Sequence, residues 1–120
     1  MARTVAAAAS DKKGVDITIL DLRGLSGFTD LFVLCSATSE PQLKAIAGEI
    51  EDRVRKELGL RPTAVDGFPA SQWVVMDYQQ VLVHLFHTEK RAFYGLEQLW
   101  SDAPRLDWES LGAAADGVHR

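Results

Sequence analysis

The chain has 120 residues, 47% of them hydrophobic and 25% charged, with a formal net charge of −4. That is one domain's worth of ordinary globular sequence, long enough to bury a core without disulfides or metals. Its basic residues are scattered among a larger number of carboxylates, and the longest basic run is Lys12-Lys13. This excludes nucleic-acid binding through clustered phosphate contacts and suits a basic protein partner better.

In chain order, residues 4–13 form an Ala-rich helix candidate that ends in Lys12-Lys13-Gly14, cations followed by glycine at a helix stop. The apolar stretch from Val5 to Ala9 is shorter than the roughly 7–15 residues of a signal-peptide core. No apolar run approaches the ~18 residues needed to span a membrane, so a cytoplasmic protein is expected. DITILDL (16–22) alternates as a strand should, and Arg23 to Thr29, with two glycines, reads as a loop. DLFVLCSA (30–37) is continuously apolar and predicts a central strand covered on both faces. It holds the lone Cys35, read as a small buried hydrophobe in a reducing compartment.

Ser39 with Gln42 three residues on predicts a capping box, and Pro41 fits the first turn of the helix it opens. Leu43, Ile46, Ala47, Ile50, Val54 and Leu58 mark one apolar stripe, closed by Gly59. Glu40–Lys44, Glu49–Arg53, Glu51–Arg55 and Asp52–Lys56 pair acid before base on a solvated outer face. Arg61 to Phe68 predicts a third strand, and WVVMDY (73–78) and VLVHLF (81–86) a hairpin around Gln79-Gln80. Thr88 then caps a final helix with Phe93, Leu96, Leu99 and Trp100 inward, which Pro104 stops. The order predicts a single α/β domain over 1–108, a mixed, mostly five-stranded sheet with packed helices, and a flexible tail over 109–120.

Catalytic chemistry is sparse. His84 and His87 have an odd separation on a strand and point to opposite faces, so they cannot share a metal; His84 reads as a satisfied histidine within the sheet. Ser26 in Gly24-Leu25-Ser26-Gly27 misses the nucleophile-elbow spacing, and no phosphate-cradling glycine motif occurs. Metal-dependent phosphoryl transfer wants two carboxylates close enough to bridge one ion, and no strand offers such a pair. Asp30 and Asp77 read as strand-end or turn residues, or as partner contacts. No cofactor is expected. What remains is the apolar, aromatic segment from Trp73 to Trp100, with scattered polar groups and no nucleophile, which reads as a docking surface. Trp73, a strand opener beside polar Ser71-Gln72, is its foremost candidate anchor.

These residues carry a resemblance. DITILDL and TDLFVLCSATS, the helix that follows, Asp66-Gly67, W-V-V-M-D-Y, V-L-V-H-L-F and the closing R-x-F-Y-x-L-E-x-L-W at Arg91 to Trp100 resemble, in order and spacing, the ribosomal silencing factor (Iojap-like) family over roughly residues 4–108. Two departures stand out. Gln79-Gln80 replaces the family's usual Gly-Asp in the hairpin turn, and Asp66-Gly67 its usual Glu-Gly.

The resemblance implies a fold like that of nucleotidyltransferases without their catalytic loop, and a non-enzymatic translation regulator that forms a homodimer when free. It implies docking on the large ribosomal subunit through ribosomal protein fourteen, which blocks joining of the small subunit when nutrients are scarce. By position it places the partner-binding residues at Trp73, Asp77 and Tyr78, with Asp66 and His84 beside them. Trp73 and Tyr78 would supply apolar anchoring, and the two aspartates would face cationic side chains. Two other readings stay open at the level of sequence: a nucleotidyltransferase-like enzyme, and a plain dimerisation module.

Overall fold

The middle of the sheet is made by the chain's two most apolar strands, which lie side by side and run parallel. In the computed structural model, which describes residues 1–27, 29–67 and 72–109 and no side chains at 92–94, β2 (Leu31–Ala37) pairs with β5 (Val81–His87) from Leu31 opposite Val81 to Ala37 opposite His87. A strand covered on both faces reads as a continuous apolar run, as 30–37 does. Antiparallel neighbours flank this pair. On one side lies β1 (Val15–Asp21), and on the other β4 (Trp73–Asp77), with β3 (Ala64–Asp66) at the edge.

The strand order is β3-β4-β5-β2-β1-β6, six strands where sequence predicted five. The sixth, β6 (Arg105–Leu106), follows Pro104 and pairs with Ile19 and Leu20 of β1. Two residues are too few to show any alternation, which is why the pattern hid it.

Two helices cover one face. In α1 (Ala2–Asp11), Val5, Ala6, Ala8 and Ala9 are buried, so small side chains let it settle against sheet and neighbour. It begins and ends two residues earlier than expected, and Lys13, not Gly14, takes the left-handed conformation after it (φ 67). Gly14 serves close approach instead: a Cβ there would collide with Cys35 Sγ and lie 2.9 Å from the Ala9 carbonyl oxygen. Gly14→Ala is therefore expected to cost about 1–3 kcal/mol, read as a lower midpoint in urea unfolding.

The second helix, α2 (Glu40–Leu58), buries Leu43, Ile46, Ala47, Ile50 and Val54. Leu58, its last residue, is 43% exposed, so the predicted stripe stops one turn early. Half of the expected capping box forms: Ser39 Oγ accepts from Gln42 N at 3.2 Å. The Gln42 side chain reaches past Ser39, accepting from Thr38 N at 2.7 Å and donating to the carbonyls of Lys12 and Lys13. The start of α2 is thereby tied to the end of α1. Of the predicted ion pairs, Glu49–Arg53 (2.6 Å) and Asp52–Lys56 (3.1 Å) form, whereas Arg55 turns to Asp52 rather than Glu51. Arg53 also reaches Asp11 of α1.

The other face is covered only in part. The expected final helix is broken at Gly95 (φ 64) into α3 (Thr88–Tyr94) and α4 (Leu96–Leu99). Its cap is His87, whose Nδ1 accepts from Glu89 N at 3.2 Å, with Thr88 already the first helical residue. Leu96 and Trp100 pack on Leu20, Leu22, Phe32, Leu34 and Phe86. Leu99, predicted inward, is 72% exposed, because the break at Gly95 resets the helical phase; the Phe93 side chain lies outside what is described.

A single buried cation fixes this cover. Arg91 donates through Nε and Nη2 to both Glu97 oxygens (3.0 and 3.2 Å). It also donates to Ser36 Oγ, Thr18 Oγ1 and the Asp16 carbonyl. All five of its N–H groups are thereby used. Asp16 sits at φ 53 in the irregular opening of β1, between Val15 and Thr18, so Arg91 holds a strained carbonyl in place while fastening α3 and α4 to the sheet.

Candidate docking surface

Register decides which residues share the partly covered face, because directly opposed residues of neighbouring strands point the same way. Asp66 opposes Val75, which opposes His84, which opposes Leu34. Ala64 opposes Asp77, which opposes Leu82, while Trp73 opposes Phe86. Leu96 and Trp100 cover the β1–β2 side of this face. Towards β4 and β3 the cover thins: Trp73, Val75, Asp77 and Leu82 are half-buried and Asp66 is exposed. The result is an apolar strip of Trp73, Val75 and Leu82 with a carboxylate at either side.

Beneath it lies an aromatic layer. The Trp73 ring stacks on Phe86 (centroids 5.4 Å, 23° between planes), and His84 lies 4.5 Å from Phe32. Trp73 Nε1 donates to His84 Nδ1 at 3.2 Å. Acceptance at Nδ1 requires a neutral imidazole with its proton on Nε2. That second nitrogen is buried with no hydrogen-bond partner among the described residues, and burial pushes the histidine down to about 4.

The sign of the pH effect follows from that depression. Above pH 6.5 the ring is neutral in folded and unfolded chains alike; below it the unfolded chain takes up a proton that the folded one refuses. Stability is expected to fall between pH 6.5 and 4 by about 3 kcal/mol from this residue alone. The difference between urea-unfolding series of the parent and a His84→Asn variant isolates it.

Of the five residues named from sequence, Trp73, Asp77, Asp66 and His84 share this face. His84, only 5% exposed, supports it from below rather than meeting a partner. Tyr78 does not belong. It packs with the α1–α2 core at 6% exposure, and its hydroxyl finds no partner among the described residues. Burial, then the Glu51 charge, pushes it up to about 12. Strand alternation, which puts Tyr78 out of phase with Trp73 and Asp77, is the reason, so its predicted anchoring role is withdrawn.

Asp77 also closes its strand: its Oδ1 accepts from Gln79 N at 2.7 Å in a turn where Tyr78 N donates to the Val81 carbonyl. Gln79 takes φ 72 there, the left-handed region that favours glycine.

Sequence reasoning missed Val75 and Leu82, although Val75 is two residues from Trp73 and in phase with it. It also missed what Gly67 does: at φ 108, a Cβ there would overlap the Trp73 carbonyl oxygen. The Asp66-Gly67 pair therefore sets the backbone approach of the aromatic anchor.

Other chemistry is thin here. Among the described residues no group of three His, Cys, Asp or Glu side chains is placed to hold a metal ion. Cys35 is buried, and desolvation pushes its thiol up to about 11, which makes it a poor nucleophile. Among the described residues no helix is long and apolar enough to cross a membrane.

A family model described as "Ribosomal silencing factor during starvation" matches residues 1–119. A Bacillus subtilis protein named ribosomal silencing factor RsfS is 42% identical over 105 residues, covering 88% of each chain. A Halalkalibacterium halodurans protein of the same name is 38% identical, over 87% of this chain and 88% of that one. The chloroplastic Iojap protein of Zea mays is 34% identical over 87% of this chain, which spans only 45% of that protein. A crystal structure from Bacillus halodurans superposes with a TM-score of 0.74 at 35% identity, covering 88% of this chain and 94% of that one. A Chromobacterium violaceum crystal structure gives 0.77 at 29%, covering 82% of each. The chain belongs to the ribosomal silencing factor family, whose members are regulatory proteins rather than enzymes.

Proposed function

We propose that this protein docks on the large ribosomal subunit through ribosomal protein fourteen and by its bulk keeps the small subunit from joining. Translation would fall in this way when nutrients are scarce. The observation that carries the reading is the strip of Trp73, Val75 and Leu82 flanked by Asp66 and Asp77. A half-buried tryptophan over a rigid aromatic layer is the kind of anchor that concentrates binding energy at an interface. Carboxylates at its sides favour a basic partner, which steers association and fixes register. The net charge of −4 adds to that attraction at long range.

The same charges argue against this strip facing its own copy, since a two-fold contact would bring like carboxylates together. A homodimer of the free protein therefore uses another surface, and the protein works in the cytoplasm, where ribosomal subunits meet.

Co-sedimentation with isolated large subunits tests the docking step. The parent chain is expected to pellet with large subunits and not with small ones. An Asp66→Asn, Asp77→Asn double variant is expected to bind more weakly and with a shallower dependence on salt. Equal recovery with both subunits, or none with either, would contradict the reading.

A further inference from the structure

We infer that His84 is the positioning residue of the docking strip: it clamps the Trp73 indole by its N–H, so that the ring meets a partner as a preset apolar plate. The inference rests on the docking reading above and assigns His84 a function that its burial denies it as a direct contact.

Three observations carry it. Trp73 Nε1 donates to His84 Nδ1 at 3.2 Å, so the one polar group of the indole is turned into the protein. The same ring stacks on Phe86, and the His84 ring lies nearly parallel to Phe86 (11°), so the indole is held by its edge and its face together. His84 itself cannot swing away: it is buried, wedged against Phe32, on the central face of β5. Among the described residues, those opposite or beside it on the packed strands are Trp73 and Val75 of β4, Leu82 and Phe86 of β5, and Phe32 and Leu34 of β2, none of them charged.

Stacking holds the face of the half-buried indole but leaves its edge less fixed, and ordering it fully would then fall to the moment of binding. The clamp removes that cost beforehand. It also determines what the partner meets: an aromatic surface to pack against, not an indole donor to satisfy. An apolar or cationic side chain of the partner fits that surface, a cation over the ring face being attracted by the ring quadrupole.

The clamp is tested in the free protein and its consequence in the complex. The three tryptophans give three indole N–H signals in a ¹⁵N correlation spectrum, and Trp73→Phe identifies the one that belongs to Trp73. That proton is expected to exchange slowly in the parent and in His84→Asn, whose amide oxygen replaces Nδ1, and quickly in His84→Leu. Binding to large subunits is expected to weaken about threefold to tenfold in His84→Leu, the range of one neutral hydrogen bond, and to recover most of that loss in His84→Asn. His84→Leu added to Trp73→Phe should weaken binding no further than Trp73→Phe alone. If the Trp73 indole proton exchanges freely in the parent, the clamp does not exist. If folded His84→Leu binds as the parent does while Trp73→Ala does not bind, docking stands and the positioning function is overturned. If Trp73→Ala binds as the parent does, the docking reading falls first. Should His84→Leu not fold, the exchange rate in the parent and the Trp73→Phe binding loss still decide.

Discussion

Trp73→Ala is expected to weaken binding to large ribosomal subunits about thirtyfold or more, the cost of truncating a central aromatic anchor of roughly 2 kcal/mol. The indole is the largest side chain of the half-buried strip, it stacks on Phe86, and it shares its face of the sheet with Asp66 and Asp77. Truncation would remove the apolar plate and open the layer beneath it, so the variant must first be shown to keep the parent's circular dichroism. Trp73→Phe, which keeps most of the ring, should lose far less. Trp108, which packs against the α1–α2 core instead, serves as the contrast. Were Trp73→Ala to bind within twofold of the parent, the strip would not be the contact surface.

The second large effect concerns stability. Arg91→Met is expected to cost about 2–3 kcal/mol in urea unfolding, because it removes a charged donor that the buried Ser36 hydroxyl and several part-buried groups share. The substitution would take their common donor from Ser36 Oγ, Thr18 Oγ1, the Asp16 carbonyl and the Glu97 carboxylate, which the hydrogen bond from Arg91, then the Arg91 and Arg105 charges, hold below the usual range. Arg91→Lys should recover little, since three donors on a flexible stem cannot reproduce a five-donor planar fork. With a typical domain worth about 5–15 kcal/mol, this one change would remove a large share of the total. A loss below about 1 kcal/mol would mean that α3 and α4 are held chiefly by Leu96 and Trp100.

The central features of the fold could be read in the sequence wherever a period ran long enough. The continuous apolar run of 30–37, the stripe from Leu43 to Val54 and the alternation of Trp73, Val75 and Asp77 against Val74 and Met76 each set one element and its buried face. Pattern failed where a contact from elsewhere in the chain decided the outcome. The two residues of β6 are a strand only because Ile19 and Leu20 offer an edge. Leu99 fits an unbroken helix, and Gly95 breaks it.

The candidate surface followed the same rule. Trp73, Asp77 and Asp66 could be named from motif positions, and alternation along one strand joins Trp73 to Asp77, but bringing Asp66 and His84 to that face needed the register of the neighbouring strands. Tyr78 matched the motif, although alternation along its strand already points it away from Trp73 and Asp77, and it packs in the core of the opposite face. What Arg91 and Gly67 do was invisible for a related reason: Arg91 bonds to residues 55 to 75 positions away, and Gly67 matters only because the Trp73 carbonyl sits where its side chain would be.

Obstruction without chemistry leaves a direct trace in a sucrose gradient. Isolated small and large subunits are mixed under joining conditions with increasing amounts of the chain. The intact-ribosome peak is expected to shrink as the chain saturates, the chain to migrate with the free large subunits, and Trp73→Ala to leave the peak near its starting size. An undiminished peak of intact ribosomes at saturating parent chain would contradict obstruction.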